Sequence, residues 1–167
     1  MIPPGQLSLR LEALRIREAE PADVAALTQL INASFVVEQI AIEGQRVDPD
    51  RVRGYLERGK FLLLEDASVL LGCVYVEQRD THGYIGLLSV DPSRQGVGLG
   101  RRLMAAAEQY FSGQGRTTVD LRIISARPEL LRFYGKLDYK ETGISPMPED
   151  APLKMACHFI HLSKQLR

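Results

Sequence analysis

The 167-residue chain is short of several things, and each shortage removes a class of function. No charge sign is in excess: 21 Lys and Arg stand against 21 Asp and Glu. No overall field therefore draws in a nucleic acid, an acidic surface or a membrane, and any polyanion site has to be local. Long apolar runs are also missing. No stretch approaches the roughly 18 apolar residues of a membrane span, and the opening MIPPGQLSLRLEAL has no continuous apolar segment of the signal-peptide kind. The expectation is a cytoplasmic protein with neither membrane nor nucleic-acid partners. Cysteine is scarce: Cys73 and Cys157 sit in apolar alternating runs with no CxxC or His/Cys ligand spacing, which favours free thiols over a disulfide or a metal site. His158 and His161, three apart in an alternating run, project to opposite faces. No metal is expected. Internal repeats, linkers and low-complexity tracts are absent as well.

What is present is core-forming sequence. Hydrophobic residues make up 45% of the chain, enough for one globular domain; residues 14–167 read as that domain and 1–13 as an extension. Alternation over Leu14 to Arg17 predicts a strand, and Val24, Leu27, Leu30 and Ile31 recur at helical spacing after Asp23. A short helix is expected through Glu38 to Ile42, and another after Asp48-Pro49 with Val52, Tyr55 and Leu56 inward. FLLLEDASVLLGCVYVEQRDTHGYIGLLSV reads as three strands with polar turns at 65–68 and 79–83, an antiparallel meander because the connections are short. Leu99, Leu103, Ala107 and Tyr110 predict a helix ending near Gly113, TTVDLRIIS a strand, and Leu130, Leu131, Tyr134 and Leu137 a further helix. A loop over Glu141 to Lys154 and a last strand over Lys154 to Leu162 close the chain. The crossover helix makes the sheet mixed, an α/β (α+β) class.

The densest local signal is SVDPSRQGVGLGRRLM, with glycines at 96, 98 and 100 running straight into a helix. Glycines so placed let a backbone adopt unusual angles and approach a ligand closely, and the N–H groups that open a helix bind anions. Two familiar phosphate patterns fail. No Lys-Ser or Lys-Thr pair stands where GxxxxGK[ST] needs it, and GxGxxG would require glycine at Arg101 or Leu103.

A third pattern, [QR]xxGx[GA], is met by Gln95-Gly96-Val97-Gly98-Leu99-Gly100. With the strand end Ser89 to Pro92 before it, the opening IREAEPADVAAL, the meander and the FYGKLDY helix end, the chain resembles the GNAT N-acetyltransferase superfamily over roughly residues 14 to 165. That resemblance implies a mixed, mostly antiparallel sheet of six to seven strands flanked by about four helices. It also implies transfer of acetyl from acetyl-CoA to an amine by direct attack in a ternary complex; transfer of another acyl group and a non-catalytic acyl-CoA-binding module are the alternatives. The implied diphosphate contacts are the backbone amides of Gln95, Gly96, Val97, Gly98, Leu99, Gly100 and Arg101, with Arg102 a further candidate. Pantetheine would pair with Leu88, Ser89 and Val90, where an N–H near Leu88 polarises the carbonyl.

Tyr134 matches the family's general acid, since a phenol with pKa near 10 carries its proton at neutral pH; neighbouring Phe133 is expected to point elsewhere. An amine of comparable pKa needs a base, and the candidates are Glu38, Glu43, Tyr84 and His158. The sequence departs from the family at two positions. Arg127 stands where many relatives carry asparagine, followed by Pro128, and would meet either the cofactor or an acidic substrate group. Asp138 replaces a glycine, and its tolerance of left-handed angles keeps the turn plausible. The acceptor, expected to be contacted by residues 35–55 and 141–154, is a small-molecule amine or a peptide N-terminus. The last strand and the exposed helix faces leave room for a homodimer.

Overall fold

The computed structural model describes residues 13–167; apart from Ala13, the expected extension lies outside the described residues. Strands β1 (Leu14–Glu18), β2 (Lys60–Asp66), β3 (Val69–Arg79), β4 (His82–Val90), β5 (Thr118–Ile124), β6 (Lys140–Pro146) and β7 (His158–Gln165) form one sheet in the order β1-β2-β3-β4-β5-β7-β6. All pairings are antiparallel except β4 with β5, because the connection between those two is a helical crossover.

The continuous apolar run of β2 is explained by burial on both faces. Phe61 and Leu63 enter a core shared with helices α1 (Val24–Ser34) and α2 (Pro49–Arg58), while Leu62 and Leu64 enter the core on the opposite face. That second core is closed by α3 (Leu99–Gly113) and α4 (Glu129–Gly135). Leu99, Leu103, Ala107 and Phe111, spaced four apart, form its ridge with Met104. Phe111 rather than Tyr110 is the residue fully buried at the end of α3, because it packs on Gly83, where even a Cβ would stand 2.5 Å from its ring.

Helix α2 starts as its sequence predicts: the Asp48 carboxylate accepts from the Arg51 N–H at 2.8 Å and Pro49 fills the first turn. Asp138 takes φ 71°, the left-handed turn expected of it. Three expectations are corrected. The segment expected as helix from Glu38 to Ile42 is a 3-10 helix, Phe35–Ile40. KETGISP, expected as loop, is strand β6, since β7 offers a free edge that a polar sequence can pair with while staying exposed. The last strand begins at His158, not Lys154, because the residues before it bridge to the loop after the 3-10 helix: Ile42 pairs with Leu153, and the Lys154 N–H donates to the Ala41 carbonyl at 2.7 Å.

Candidate active site

β4 and β5 are in register only at Gly83–Val119 and Tyr84–Asp120, and beyond that point the strands part. Residues 85–90 of β4 thus have no β5 partner. A bulge adds one residue to β4 between Gly86, opposite Tyr75, and Ser89, opposite Cys73; within it Leu87 takes φ 50°. The wedge left by the parting strands opens into a cleft of about 1080 Å3 that runs from the start of α3 to the 3-10 helix holding Glu38. Such a volume accommodates a large cofactor together with a small second substrate.

The α3 end of the cleft is made of backbone. The Asp91 carboxylate accepts from the Ser93 N–H (2.9 Å) and hydroxyl (2.8 Å), fixing the turn out of β4. Gly96 and Gly98 then take φ +84° and +87°. Space around both is open, so glycine is required there by conformation and not by crowding. Gly98 is the N-cap of α3 and no side chain caps the helix, which leaves first-turn amides and the positive helix end at the cleft mouth. Gln95, Gly96, Gly98, Leu99, Gly100 and Arg101 line this end, with Leu88 and Val90 beside them. Val97, half exposed, does not line it, and Ser89 is buried with its hydroxyl donating to the Leu87 carbonyl at 2.9 Å. Phe133, expected to point elsewhere, lines the cleft: its ring edge stands 3.5 Å from where a Cβ on Gly100 would lie, and it packs edge-on against Tyr134.

The opposite end is made of side chains. Residues Phe35–Ile40 reverse the usual rule of burial: Val36, Val37 and Ile40 are 55%, 48% and 71% exposed, while Glu38 is 8% exposed and lines the cleft. Burial raises the Glu38 pKa above the ordinary carboxylate value, opposed by the positive charges of Arg127 and Arg46. Arg127 Nη1 reaches Glu38 Oε1 at 3.5 Å and its Nε donates to Glu129 Oε1 at 3.0 Å. Glu38 Oε2, Arg127 Nη2 and the Tyr134 hydroxyl have no hydrogen-bond partner among the described residues. None of these atoms is sealed from solvent, since no buried side-chain N or O among those residues lacks a partner. All three residues line the cleft. Burial pushes the Tyr134 pKa well up, with Arg127 opposing, so the phenol holds its proton at every physiological pH.

Other sequence candidates sort by position. Glu43 and Tyr84 line the cleft; His158 does not, and its backbone N–H donates to the Ser125 hydroxyl instead. Cys73 is a buried thiol whose pKa burial pushes up to about 12, and Cys157 is also unpaired. Among the described residues, no cluster of three or more His, Cys, Asp or Glu is placed to hold a metal, and no helix is long and apolar enough to cross a membrane. Among the cleft arginines that the sequence did not single out, three lie over aromatic rings: Arg46 over Phe35, Arg79 over Tyr84 (3.6 Å to the ring centre) and Arg122 over Phe159 (4.0 Å). No sequence spacing links these arginines to their rings, and only Arg79-Tyr84 lie near one another along the chain.

A family model described as an acetyltransferase (GNAT) domain matches residues 31–151. The mycothiol acetyltransferase of Gordonia bronchialis is 31% identical over 148 residues, 80% of this chain and 46% of that protein. Glucosamine 6-phosphate N-acetyltransferase 1 of Oryza sativa subsp. japonica is 28% identical over 143 residues, 80% of this chain and 85% of the relative. The chain spans about half the length of the mycothiol acetyltransferases it matches. Among solved structures, yncA from Salmonella typhimurium, determined with its cofactor acetyl-CoA, superposes with a TM-score of 0.70 at 24% identity, over 93% of this chain and 95% of that one. At that identity the likeness is one of fold.

Proposed function

The chain belongs to the GNAT acetyltransferase family, and from that footing we propose that it transfers the acetyl group of acetyl-CoA to a primary amine by direct attack within a ternary complex. One observation carries the reading. A helix start with no side-chain cap, approached through two left-handed glycines, opens onto the same cleft as a protonated phenol and a buried carboxylate with an open oxygen.

The fit to acetyl-CoA rests on this chain's own features. Backbone amides between Gln95 and Arg101 suit a diphosphate, and the unpaired edge of β4 at Leu88, Ser89 and Val90 suits pantetheine. When bound, the cofactor supplies an acyl thioester. Glu38, through its open Oε2, takes a proton from the incoming ammonium so that nitrogen has a lone pair to attack with. Its raised pKa makes it a stronger base than an exposed carboxylate. Tyr134 donates its phenolic proton to the departing sulfur and the resulting phenolate is reprotonated by the surplus proton of the acylated nitrogen, so that the C–N bond forms, the C–S bond breaks and CoA leaves as the thiol. An N–H within the bulge at Leu88 polarises the carbonyl. Phe133 shields the α3 end from water.

The reading is tested in two steps. Calorimetry on the full chain is expected to detect acetyl-CoA binding that Gly98→Val weakens at least tenfold, because left-handed angles cost a branched residue about 1–2 kcal/mol and the loop would rearrange. Release of free CoA thiol is then followed with a panel of amines. Tight cofactor binding with no turnover of any amine, unchanged by Tyr134→Phe, would support a non-catalytic binding module instead.

A further inference from the structure

Resting on the amine-acetylation reading, we infer that the acceptor is a zwitterion, an amine with a carboxylate one or two carbons away as in a free amino acid, and that Arg127 is the residue that selects it.

The first observation is the looseness of the Arg127–Glu38 contact. Charge-assisted hydrogen bonds settle near 2.7–2.9 Å, whereas Arg127 Nη1 stands 3.5 Å from Glu38 Oε1. The guanidinium is anchored on its other side by Glu129, at 3.0 Å through Nε. One edge of Arg127 is thus oriented and the other is left to the cleft. On two residues whose nearest atoms stand 3.5 Å apart, the open Oε2 of Glu38 and the open Nη2 of Arg127 offer one acceptor for positive charge and one donor to negative charge. An ammonium and a carboxylate separated by one carbon carry the complementary pair.

The second observation is electrostatic. The positive charges of Arg127 and Arg46 and the negative charge of Glu129 all bear on Glu38. A simple alkylammonium paired with Glu38 leaves two guanidiniums facing one remaining carboxylate, an excess of positive charge beside it. A zwitterion answers that excess with its own carboxylate. The N-terminus of a peptide, whose neighbouring carbonyl is an amide, does not. Arg46, seated over Phe35, and Arg122, seated over Phe159, have no carboxylate within salt-bridge distance among the described residues, so neither guanidinium is neutralised by a direct ion pair.

The test uses the full chain with acetyl-CoA, the common L-amino acids, the same compounds as carboxamides, and dipeptides. Free CoA thiol is the readout. At least one amino acid is expected to exceed its own carboxamide tenfold or more in kcat/KM. Arg127→Gln is expected to bring that ratio near one, mainly through KM for the acid, and Arg127→Lys to restore part of it, since a lysine keeps the charge but not the fork. Calorimetric titration of amino acids and carboxamides into the CoA complex gives a readout independent of turnover, and unchanged CoA affinity shows that each variant is folded. Amino acids that bind but are not acetylated would support the zwitterion site and sink the enzyme reading. Carboxamides, dipeptides or simple amines turned over as well as the free acids, or an Arg127→Gln variant that leaves the ratio unchanged, would overturn the inference while leaving the enzyme. Neither binding nor turnover of any amino acid overturns it as well.

Discussion

Two arginines in this molecule each meet two carboxylates, and the outcomes are opposite. At the outer corner near β1, Arg17 forks onto Asp23 with two contacts of 2.8 Å and reaches Glu65 at 2.8 and 3.1 Å. Those bonds hold the Asp23 carboxyl below its ordinary pKa. In the cleft, Arg127 meets Glu38 only at 3.5 Å, and burial drives the Glu38 pKa up instead. The corner spends its hydrogen-bonding capacity within the protein. The cleft leaves capacity open, on a buried acid whose chain neighbours Val36, Val37 and Ile40 are exposed. A satisfied ion pair stabilises the fold, whereas an incompletely satisfied one at a cavity keeps atoms for a ligand.

The contrast breaks most visibly in activity. Glu38→Gln is expected to lower kcat about 10²-fold or more, the range of a lost general base, while Asp23→Asn leaves it unchanged; equal losses in steady-state assays would erase the distinction. Tyr134→Phe should follow with a loss of about 10²-fold at unaltered acetyl-CoA affinity, since only the proton donor goes. The pH profile sharpens the point. With Glu38 as the proposed base, activity requires its ionised form, so the acid limb of kcat/KM should lie above the ordinary carboxylate value near 4.3. Arg127→Gln, which removes a charge that favours ionisation, should move that limb higher still.

Stability should show smaller effects of opposite sign. Asp23, with its folded pKa depressed, contributes stability that is present above its unfolded pKa and lost as pH falls through the folded one. Asp23→Asn should therefore lose about 1–2 kcal/mol at pH 7 by urea unfolding, the deficit shrinking in acid. Glu38 has its folded pKa raised, so wild-type stability falls as pH climbs from its unfolded to its folded pKa. Glu38→Gln should gain stability at neutral pH and nothing below the unfolded value. A clear loss for Glu38→Gln at pH 7 would mean that the pair acts structurally, like the corner.

The two ends of the cleft were unequally legible in the sequence. The α3 end is read by backbone, and backbone requirements leave local marks: glycines where φ is positive, Asp91-Pro92 before them, a helix-forming run after them. The acceptor end depends on side chains far apart in the chain. Glu38 and Arg127 are 89 residues apart and meet only because β5 delivers one to the segment that carries the other. Periodicity misled where tertiary context decided: in β6, where a polar run pairs because an edge is available, and at the end of α3, where helical spacing admits Tyr110 or Phe111 and Gly83 makes room for Phe111. Phe133 was misplaced for the same reason, since its neighbour across the cleft is Gly100 in a different element.

By itself the sequence determined the layered α/β architecture and the glycine turn into α3, because alternation, helical spacing and glycine placement act over a few residues. Only the tertiary structure decided which acid is buried, which arginine leans toward it without closing on it, and where two parallel strands separate. Those outcomes depend on distance through space and on desolvation, and neither is written in the order of neighbouring residues.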